Sequence, residues 1–191
     1  DRLIERQIQG GTDAIVVCGT TGEAATLSYN ERMALIERCV RTVDRRVPVI
    51  AGSGTNSTAS SIALSKAAQS AGVDALLTVT PYYNKASQSG LVQHFSAIAD
   101  AVDVPVILYN VPARTGVGCT VQTYQALAKH PNIVGVKEAS DNFDLIQDTL
   151  NLCPPGFTVW SGNDDSTAAI MALGGKGVIS VAANVVPREM H

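Results

Sequence analysis

Residues 133–140 read Ile-Val-Gly-Val-Lys-Glu-Ala-Ser, a short apolar run followed at once by a lysine and a glutamate. A run of this length that is rich in β-branched residues predicts a buried strand, Ile133–Lys137, with the lysine at its carboxyl end. Similar runs recur along the chain, and their almost continuous apolar character is typical of parallel strands covered on both faces. The other predicted strands are Ala14–Cys18, Val47–Ala51, Ala75–Thr80, Val104–Tyr109, Thr158–Ser161 and Gly177–Val181.

Longer amphipathic segments separate these strands and predict helices. Ser28 followed by Glu31 forms a capping box at one helix start, and Asp164 or Asp165 is the predicted N-cap of a late helix. A repeating strand–helix unit leaves two architectures, a doubly wound open sheet or an eight-stranded barrel. The predicted helices are Ser28–Asp44, Thr58–Ala71, Gln88–Ala101, Val121–Lys129, Phe143–Leu150 and Asp165–Leu173, and a further helix begins at Pro187.

Reactive or turn-forming residues follow nearly every predicted strand. They are Cys18-Gly19-Thr20-Thr21, Thr80-Pro81-Tyr82-Tyr83, Tyr109-Asn110, Lys137-Glu138 and Ser161-Gly162. In a barrel all strand ends converge on one mouth, whereas in an open sheet only the strands at the switch point contribute to a site. We therefore predict an α/β fold, an incomplete TIM (β/α)8 barrel with about seven of its eight strands. Residues 1–191 are predicted to form a single, partial barrel domain.

Composition limits the classes of function. The chain has 191 residues, 46% hydrophobic and 16% charged, with a net charge of -3 and no basic stripe, so nucleic acid is not an expected partner. No apolar run approaches the roughly 20 residues that span a bilayer, and the first ten residues lack a signal-peptide core. Four scattered cysteines indicate reduced thiols and a cytoplasmic location rather than disulfides or zinc. Because the sequence lacks an initiator Met, we expect a fragment.

Lys137 is the first candidate for chemistry. An amine at the end of a buried strand loses hydration, which disfavours the ammonium form and leaves a nucleophile. A free amine attacks a ketone to form an imine, which then acts as an electron sink. The alternative is a structural ion pair between Lys137 and Glu138 or a neighbouring carboxylate.

Tyr109 ends the preceding strand. Adjacent strands lie about 4.8 Å apart, so the phenol can approach the Lys137 amine and pass protons during imine formation. The alternative for Tyr109 is simple packing on the barrel rim.

Two further groups suit a carboxylate ligand. The loop Gly19-Thr20-Thr21-Gly22-Glu23 offers hydroxyls and main-chain amides, and Arg114, on a predicted loop stiffened by Pro112, offers a guanidinium. The alternative for Arg114 is a solvent-exposed surface arginine. The glycines at residues 52–57 lack the remaining features of a dinucleotide loop, and the three histidines have no metal-ligand spacing, so no metal site is predicted.

Five motifs together resemble the dihydrodipicolinate synthase family. They are Gly19-Thr-Thr-Gly-Glu23, Thr80-Pro-Tyr-Tyr-Asn84, Tyr109-Asn-Val-Pro-Ala-Arg-Thr-Gly116, Gly135-Val-Lys-Glu-Ala-Ser140 and Gly177-Val-Ile-Ser-Val181. The resemblance implies a lyase that condenses pyruvate with L-aspartate-4-semialdehyde in diaminopimelate and lysine biosynthesis. It also implies a homotetramer built as a dimer of dimers, with no metal or organic cofactor.

The resemblance implies a role for each matching residue. Lys137 matches the Schiff-base lysine, and Tyr109 and Thr21 match a proton relay that Tyr83 completes from a partner subunit. Arg114 matches the residue that receives the carboxylate of the aldehyde substrate. The pyruvate site matches Thr20, Thr21, Gly162 and Ile179.

The chain also departs from the family pattern. It is shorter than complete members, and we expect it to lack the first barrel strand, the last barrel helix and the carboxyl-terminal helical domain. Ala86 replaces a usual proline. The lysine effector cleft keeps Asn56 and Tyr82, whereas arginine and serine replace its histidine and glutamate at residues 32 and 60. A cation facing the lysine ammonium and a lost counter-charge predict weak or absent lysine inhibition.

Three alternatives remain open. The first is another pyruvate-dependent aldolase of the superfamily, N-acetylneuraminate lyase or a 2-keto-3-deoxy sugar-acid aldolase, although Arg114 favours the synthase. The second is a barrel that binds a phosphorylated metabolite at Ser161–Asp164 and Ser180–Asn184. The third is a catalytically inactive fragment.

Overall fold

The computed structural model describes all 191 residues and contains one sheet of six parallel strands. Each strand pairs with the strand that precedes it in the chain, so the order in the sheet is the order in the sequence. The first six predicted strands are confirmed, with bounds within about two residues of the expected ones. The strands are β1 (Ile15–Val17), β2 (Val49–Gly52), β3 (Ala75–Val79), β4 (Val106–Asn110), β5 (Ile133–Glu138) and β6 (Thr158–Ser161).

Helices connect the strands, and the six helices predicted with both bounds are present. Two further helices have no clear signal in the sequence, the polar first helix, in which Ile4 and Ile8 pack against the core, and the single turn after β4. The helices are α1 (Arg2–Gln9), α2 (Tyr29–Val43), α3 (Thr58–Ser70), α4 (Gln88–Ala99), α5 (Pro112–Thr115), α6 (Val121–Leu127), α7 (Phe143–Leu152), α8 (Thr167–Leu173) and α9 (Pro187–Met190).

The two faces of the sheet have different surroundings. On the outer face, strand residues such as Leu108 and Val136 pack with helix residues such as Phe95 in the main core. The inner face carries a separate cluster that includes Leu77 and Ile107, and no helix contributes to it. Helices on one face and a sequential strand order exclude the doubly wound alternative. The fold is the α/β arrangement of a partial barrel.

Of the two predicted N-caps, the structure contains one. The Ser28 capping box is confirmed, because the Glu31 N–H donates to Ser28 Oγ at 3.3 Å and the Ser28 N–H donates to Glu31 Oε2 at 2.9 Å. The predicted cap of the late helix is wrong. Helix α8 follows Ser166, whose side chain caps nothing, and the Asp164 carboxylate is used elsewhere.

The predicted seventh strand, Gly177–Val181, is not a strand. It meets β6 at one isolated parallel bridge, in which the Ser161 N–H donates to the first carbonyl of the segment and the Ile179 N–H donates to the Ser161 carbonyl, both at 2.9 Å. The backbone then turns away from β6. The Asp164 carboxylate holds this turn by accepting hydrogen bonds from the main-chain N–H groups of Val181 at 3.1 Å and Ala182 at 2.9 Å. Pairing therefore stops after one bridge, which local sequence does not reveal.

None of the helices combines the length and the apolar composition that a membrane span requires. All four cysteines are free, and three of them are buried. The three buried cysteines, Cys18, Cys39 and Cys119, belong to the packed core.

The close pairing of β5 and β6 gives a stability prediction. A Cβ at Gly135 would lie 2.1 Å from the Thr158 carbonyl oxygen and 2.8 Å from Cζ3 of Trp160. Gly135→Ala should therefore lower the free energy of unfolding by about 1–3 kcal/mol, measured by urea denaturation. Gly118→Ala is the matched control, because its Cβ would meet Pro112 at an ordinary 3.5 Å. Equal midpoints for the two variants would contradict this close packing.

Candidate active site

Tyr109 and Lys137 lie side by side at the carboxyl ends of β4 and β5, where they are register partners. The Lys137 Nζ lies 4.3 Å from the centroid of the Tyr109 ring. Both residues are buried, with exposures of 7% for Lys137 and 6% for Tyr109. The structure thus brings together the amine and the phenol that the sequence analysis selected.

Lys137 has no carboxylate in ion-pair contact. The alternative pairing with Glu138 is wrong, because successive strand residues point to opposite faces and the Glu138 carboxylate accepts hydrogen bonds from Asn110 and Tyr124. Burial lowers the pKa of Lys137 to about 8, the charge of Arg114 acts in the same direction, and that of Asp164 opposes it. More of the amine is therefore neutral at physiological pH than in an ordinary lysine.

Asp164 is a site residue that the sequence analysis missed in this role. Its carboxylate accepts a hydrogen bond of 2.5 Å from the Ser180 hydroxyl and holds the main-chain turn that follows. Burial acts to raise the pKa of Asp164, but these hydrogen bonds and the Lys137 charge outweigh it, so the pKa is lowered. The anionic form of Asp164 is therefore favoured, and its charge acts on the Lys137 amine. Because its partners lie about 16 residues downstream, a local helix-start pattern cannot identify them.

Gly162 and Ile179 lie at the same end of the sheet. The Gly162 N–H donates to the Glu138 carbonyl at 2.7 Å, and a Cβ at this glycine would lie 2.6 Å from the Ala139 Cβ. The residue must be small because the β6 loop passes this close to β5. Ile179 packs against the inner-face cluster that contains Tyr109. Both predicted pyruvate-site residues therefore adjoin the Tyr109–Lys137 pair.

Thr20 and Thr21 lie in the exposed loop that follows β1. Two main-chain hydrogen bonds close this loop. The Gly22 N–H donates to the Gly19 carbonyl at 3.2 Å, and the Glu23 N–H donates to the Thr20 carbonyl at 3.0 Å. Both threonines are exposed, so their hydroxyls can bind a ligand oxygen.

Arg114 lies on helix α5 rather than on the loop that the sequence analysis predicted. Pro112 begins this turn of helix, and the Arg114 N–H donates to the Val111 carbonyl at 2.9 Å. The guanidinium is exposed and close enough to affect the pKa of Lys137. It can bind a carboxylate that approaches from solvent.

Tyr83 points away from the chain. Its backbone has a φ of 76°, its N–H donates to the Thr115 carbonyl at 3.2 Å, and its side chain is 89% exposed. Within this chain the phenol contacts neither Lys137 nor Tyr109 through an aromatic or hydrogen-bonded contact. A positive φ is costly for a tyrosine, and a strained, exposed aromatic residue is typical of a functional contact.

Three of the residues predicted to line the effector cleft are exposed at the surface of the chain. Asn56 and Ser60 are exposed at the start of α3, and Tyr82 is 37% exposed beside Tyr83. The Arg32 guanidinium donates to the Ala24 carbonyl at 2.5 Å.

The histidines lie away from these groups. His94 is buried against Thr58 at 2.8 Å, His130 contacts Asp100 at 3.0 Å, and His191 lies 3.8 Å from Asp13. No group of three or more His, Cys, Asp or Glu side chains is arranged to hold a metal ion.

Comparison with known proteins gives a consistent result. Residues 1–191 match the model of the dihydrodipicolinate synthetase family. The 4-hydroxy-tetrahydrodipicolinate synthase of Acetivibrio thermocellus is 51% identical over 189 residues, which are 99% of this chain and 64% of that protein. A chloride-inhibited dihydrodipicolinate synthase from Acinetobacter baumannii, solved in complex with pyruvate, superimposes with a TM-score of 0.97 and 48% identity over 99% of this chain and 65% of that one.

A third relative, from Cyanidioschyzon merolae and solved with lysine bound, gives a TM-score of 0.96 and 42% identity over 99% of this chain and 64% of that one. The chain thus spans about 64% of the length of the curated relatives that it matches. The match covers every motif on which the sequence resemblance was based. The resemblance is confirmed, and the chain belongs to the dihydrodipicolinate synthetase family.

Proposed function

We propose that the protein is a Schiff-base lyase that condenses pyruvate with L-aspartate-4-semialdehyde to form 4-hydroxy-tetrahydrodipicolinate. The observation that carries the proposal is the buried, unpaired amine of Lys137, 4.3 Å from the centroid of the Tyr109 ring at the carboxyl edge of the sheet. A desolvated amine beside a proton-transfer group is the combination that imine formation requires. Family membership supports the same reaction.

The proposed chemistry follows from the two residues. The neutral Lys137 amine attacks the ketone carbon of pyruvate, and the carbinolamine loses water to give a protonated imine. The Tyr109 phenol donates and accepts the protons that these steps move. Loss of a proton from the pyruvate methyl group gives an enamine, whose carbon attacks the aldehyde carbon of the second substrate while the aldehyde oxygen takes up a proton. The amino group of that substrate then displaces the Lys137 amine from the imine, which closes the ring and releases the product.

Different groups of the protein bind the carboxylates of the two substrates in this proposal. Thr20 and Thr21 offer exposed hydroxyls to pyruvate, with main-chain groups of Gly162 and Ile179 lining the site. The exposed Arg114 guanidinium receives the carboxylate of the semialdehyde. An arginine at this position also favours the synthase over the sugar-acid aldolases of the superfamily.

Self-association forms part of the proposal. Tyr83 is 89% exposed within one chain, so it can complete the proton relay with Thr21 and Tyr109 only in a neighbouring subunit. This supports a dimer, and a dimer of dimers is the proposed assembly. The reaction needs no metal or organic cofactor, because the imine supplies the electron sink. We place the enzyme in the cytoplasm, in diaminopimelate and lysine biosynthesis, with weak or no inhibition by lysine.

Borohydride trapping tests the proposed mechanism. Reduction of the full-length protein in the presence of pyruvate should add about 72 Da to the peptide that contains Lys137, measured by mass spectrometry. Lys137→Arg should abolish the adduct, because arginine keeps the charge but forms no imine. Lys66→Arg, on the exposed surface of α3, is the matched control and should keep it. An adduct that survives Lys137→Arg would contradict the assignment.

The pH dependence of trapping follows from the lowered pKa of Lys137. Protonation removes the nucleophile, so the initial trapping rate should fall as the pH drops through about 8, the pKa of Lys137. Above this pKa the amine is neutral and the rate should reach a plateau. A rate that continues to rise toward the ordinary lysine pKa of about 10.4 would show that burial does not control this amine.

Tyr109→Phe tests the proton relay. The ring keeps its packing in the inner-face cluster, but no hydroxyl remains to transfer protons. The trapping rate at saturating pyruvate should fall about 10²- to 10⁴-fold with little change in thermal unfolding. Tyr29→Phe, at an exposed position on α2, is the control. Unchanged trapping by Tyr109→Phe would assign proton transfer to another group.

A further inference from the structure

A buried polar cluster lies on the outer face of the sheet, directly behind the Tyr109–Lys137 pair. We call it the outer clamp, and it consists of Asn110, Tyr124 and Glu138. The Glu138 carboxylate accepts hydrogen bonds from Asn110 Nδ2 at 2.9 and 3.1 Å and from the Tyr124 hydroxyl at 2.6 Å. All three residues are at most 2% exposed.

Every polar group of the outer clamp has a partner. Besides Asn110 and Tyr124, the Ser140 N–H donates to Glu138 Oε1 at 3.0 Å, and the Cys119 N–H donates to Asn110 Oδ1 at 3.1 Å. Burial raises the pKa of Glu138, and the hydrogen bonds from Tyr124, Ser140 and Asn110 oppose that effect. A buried carboxyl group is costly, and an apolar core of similar shape is often at least as stable. Stability alone therefore does not explain the cluster.

The outer clamp joins the two strands that carry the reactive pair. Asn110 is the register partner of Glu138, as Tyr109 is of Lys137 one residue earlier. Because alternate residues face opposite sides, the outer clamp fixes the backbone whose inner side carries the amine and the phenol. A slip of one residue would turn Lys137 toward the helices.

The β4–β5 pairing is irregular before this point. Val106 pairs with Ile133, but Ile107 pairs with Gly135, so the register shifts by one residue between two consecutive positions. The upstream hydrogen bonds therefore do not by themselves determine the register at the carboxyl ends. The specific donor–acceptor pairing of Asn110 with Glu138 lies beyond the shift and can determine it.

We propose that the outer clamp is a positioning device for the proposed imine chemistry, with Asn110, Tyr124 and Glu138 as positioning residues that hold Lys137 against Tyr109. None of the three contacts the amine. The inference rests on the proposed function, since it specifies how the chain aims the reactive lysine.

A donor–acceptor swap in the full-length protein tests the outer clamp. Asn110→Asp sets two carboxyl groups against each other, and Glu138→Gln sets two amides against each other. The double variant restores one carboxylate facing one amide and keeps the net charge of the pair. Each is measured by the borohydride trapping rate at saturating pyruvate, by KM for pyruvate and by thermal unfolding.

We expect each single variant to lower the trapping rate about 10- to 100-fold, the scale for a misplaced reactive group, with a smaller effect on KM. The double variant should recover to within about threefold of the wild type, a coupling that independent sites do not show. Gln69→Glu is the control, because it opposes the Asp103 carboxylate outside the candidate site and should leave trapping unchanged. If a single variant does not fold, Tyr124→Phe, which removes one hydrogen bond, should give a smaller loss of trapping.

Loss of thermal stability without loss of trapping, or no recovery in a folded double variant, would overturn the positioning role. An inactive wild-type protein would instead contradict the proposed function. In that case the pH midpoint for modification of Lys137 by trinitrobenzenesulfonate, followed by peptide mass spectrometry, still tests the outer clamp. A shift in the single variants that the double variant reverses would support positioning, and equal midpoints would refute it.

Discussion

The in-register pairing of the carboxyl ends of β4 and β5 is the constraint on which the rest of the site depends. It places Tyr109 against Lys137 on the inner face and Asn110 against Glu138 on the outer face. The inner pair has the reactive groups, and the outer pair has the hydrogen bonds that determine alignment. A parallel sheet brings such residues together only if its register is correct, because each residue on one face is followed by a residue on the other.

Desolvation links this packing to the chemistry. Lys137 lies in an apolar inner face without a carboxylate contact, and burial favours its neutral form. The charge of Asp164 raises the pKa of the Lys137 amine, and the charge of Arg114 lowers it. Placement in the fold therefore shifts this amine toward its neutral form, and the Thr20–Thr21 loop at the end of β1 is exposed.

Local patterns in the sequence predict most of the fold and much of the site. Apolar runs such as the one before Lys137 identify the six strands, because burial on both faces leaves a continuous apolar signature. The same reasoning fails at residues 177–181, where a distant carboxylate, that of Asp164, ends the pairing. Local patterns also suggest the wrong partner, Lys137, for Glu138. Its actual partner Tyr124 lies on a separate helix, α6, whose position depends on tertiary packing. Interactions between residues far apart in sequence account for each failure.

A crystal structure of the full-length protein soaked with pyruvate would show whether Lys137 forms the imine. We expect continuous electron density between Lys137 Nζ and the ketone carbon, with the Tyr109 hydroxyl beside the new bond and the ligand carboxylate at Thr20 and Thr21. Density for free pyruvate at another position, with Lys137 unmodified, would contradict this expectation.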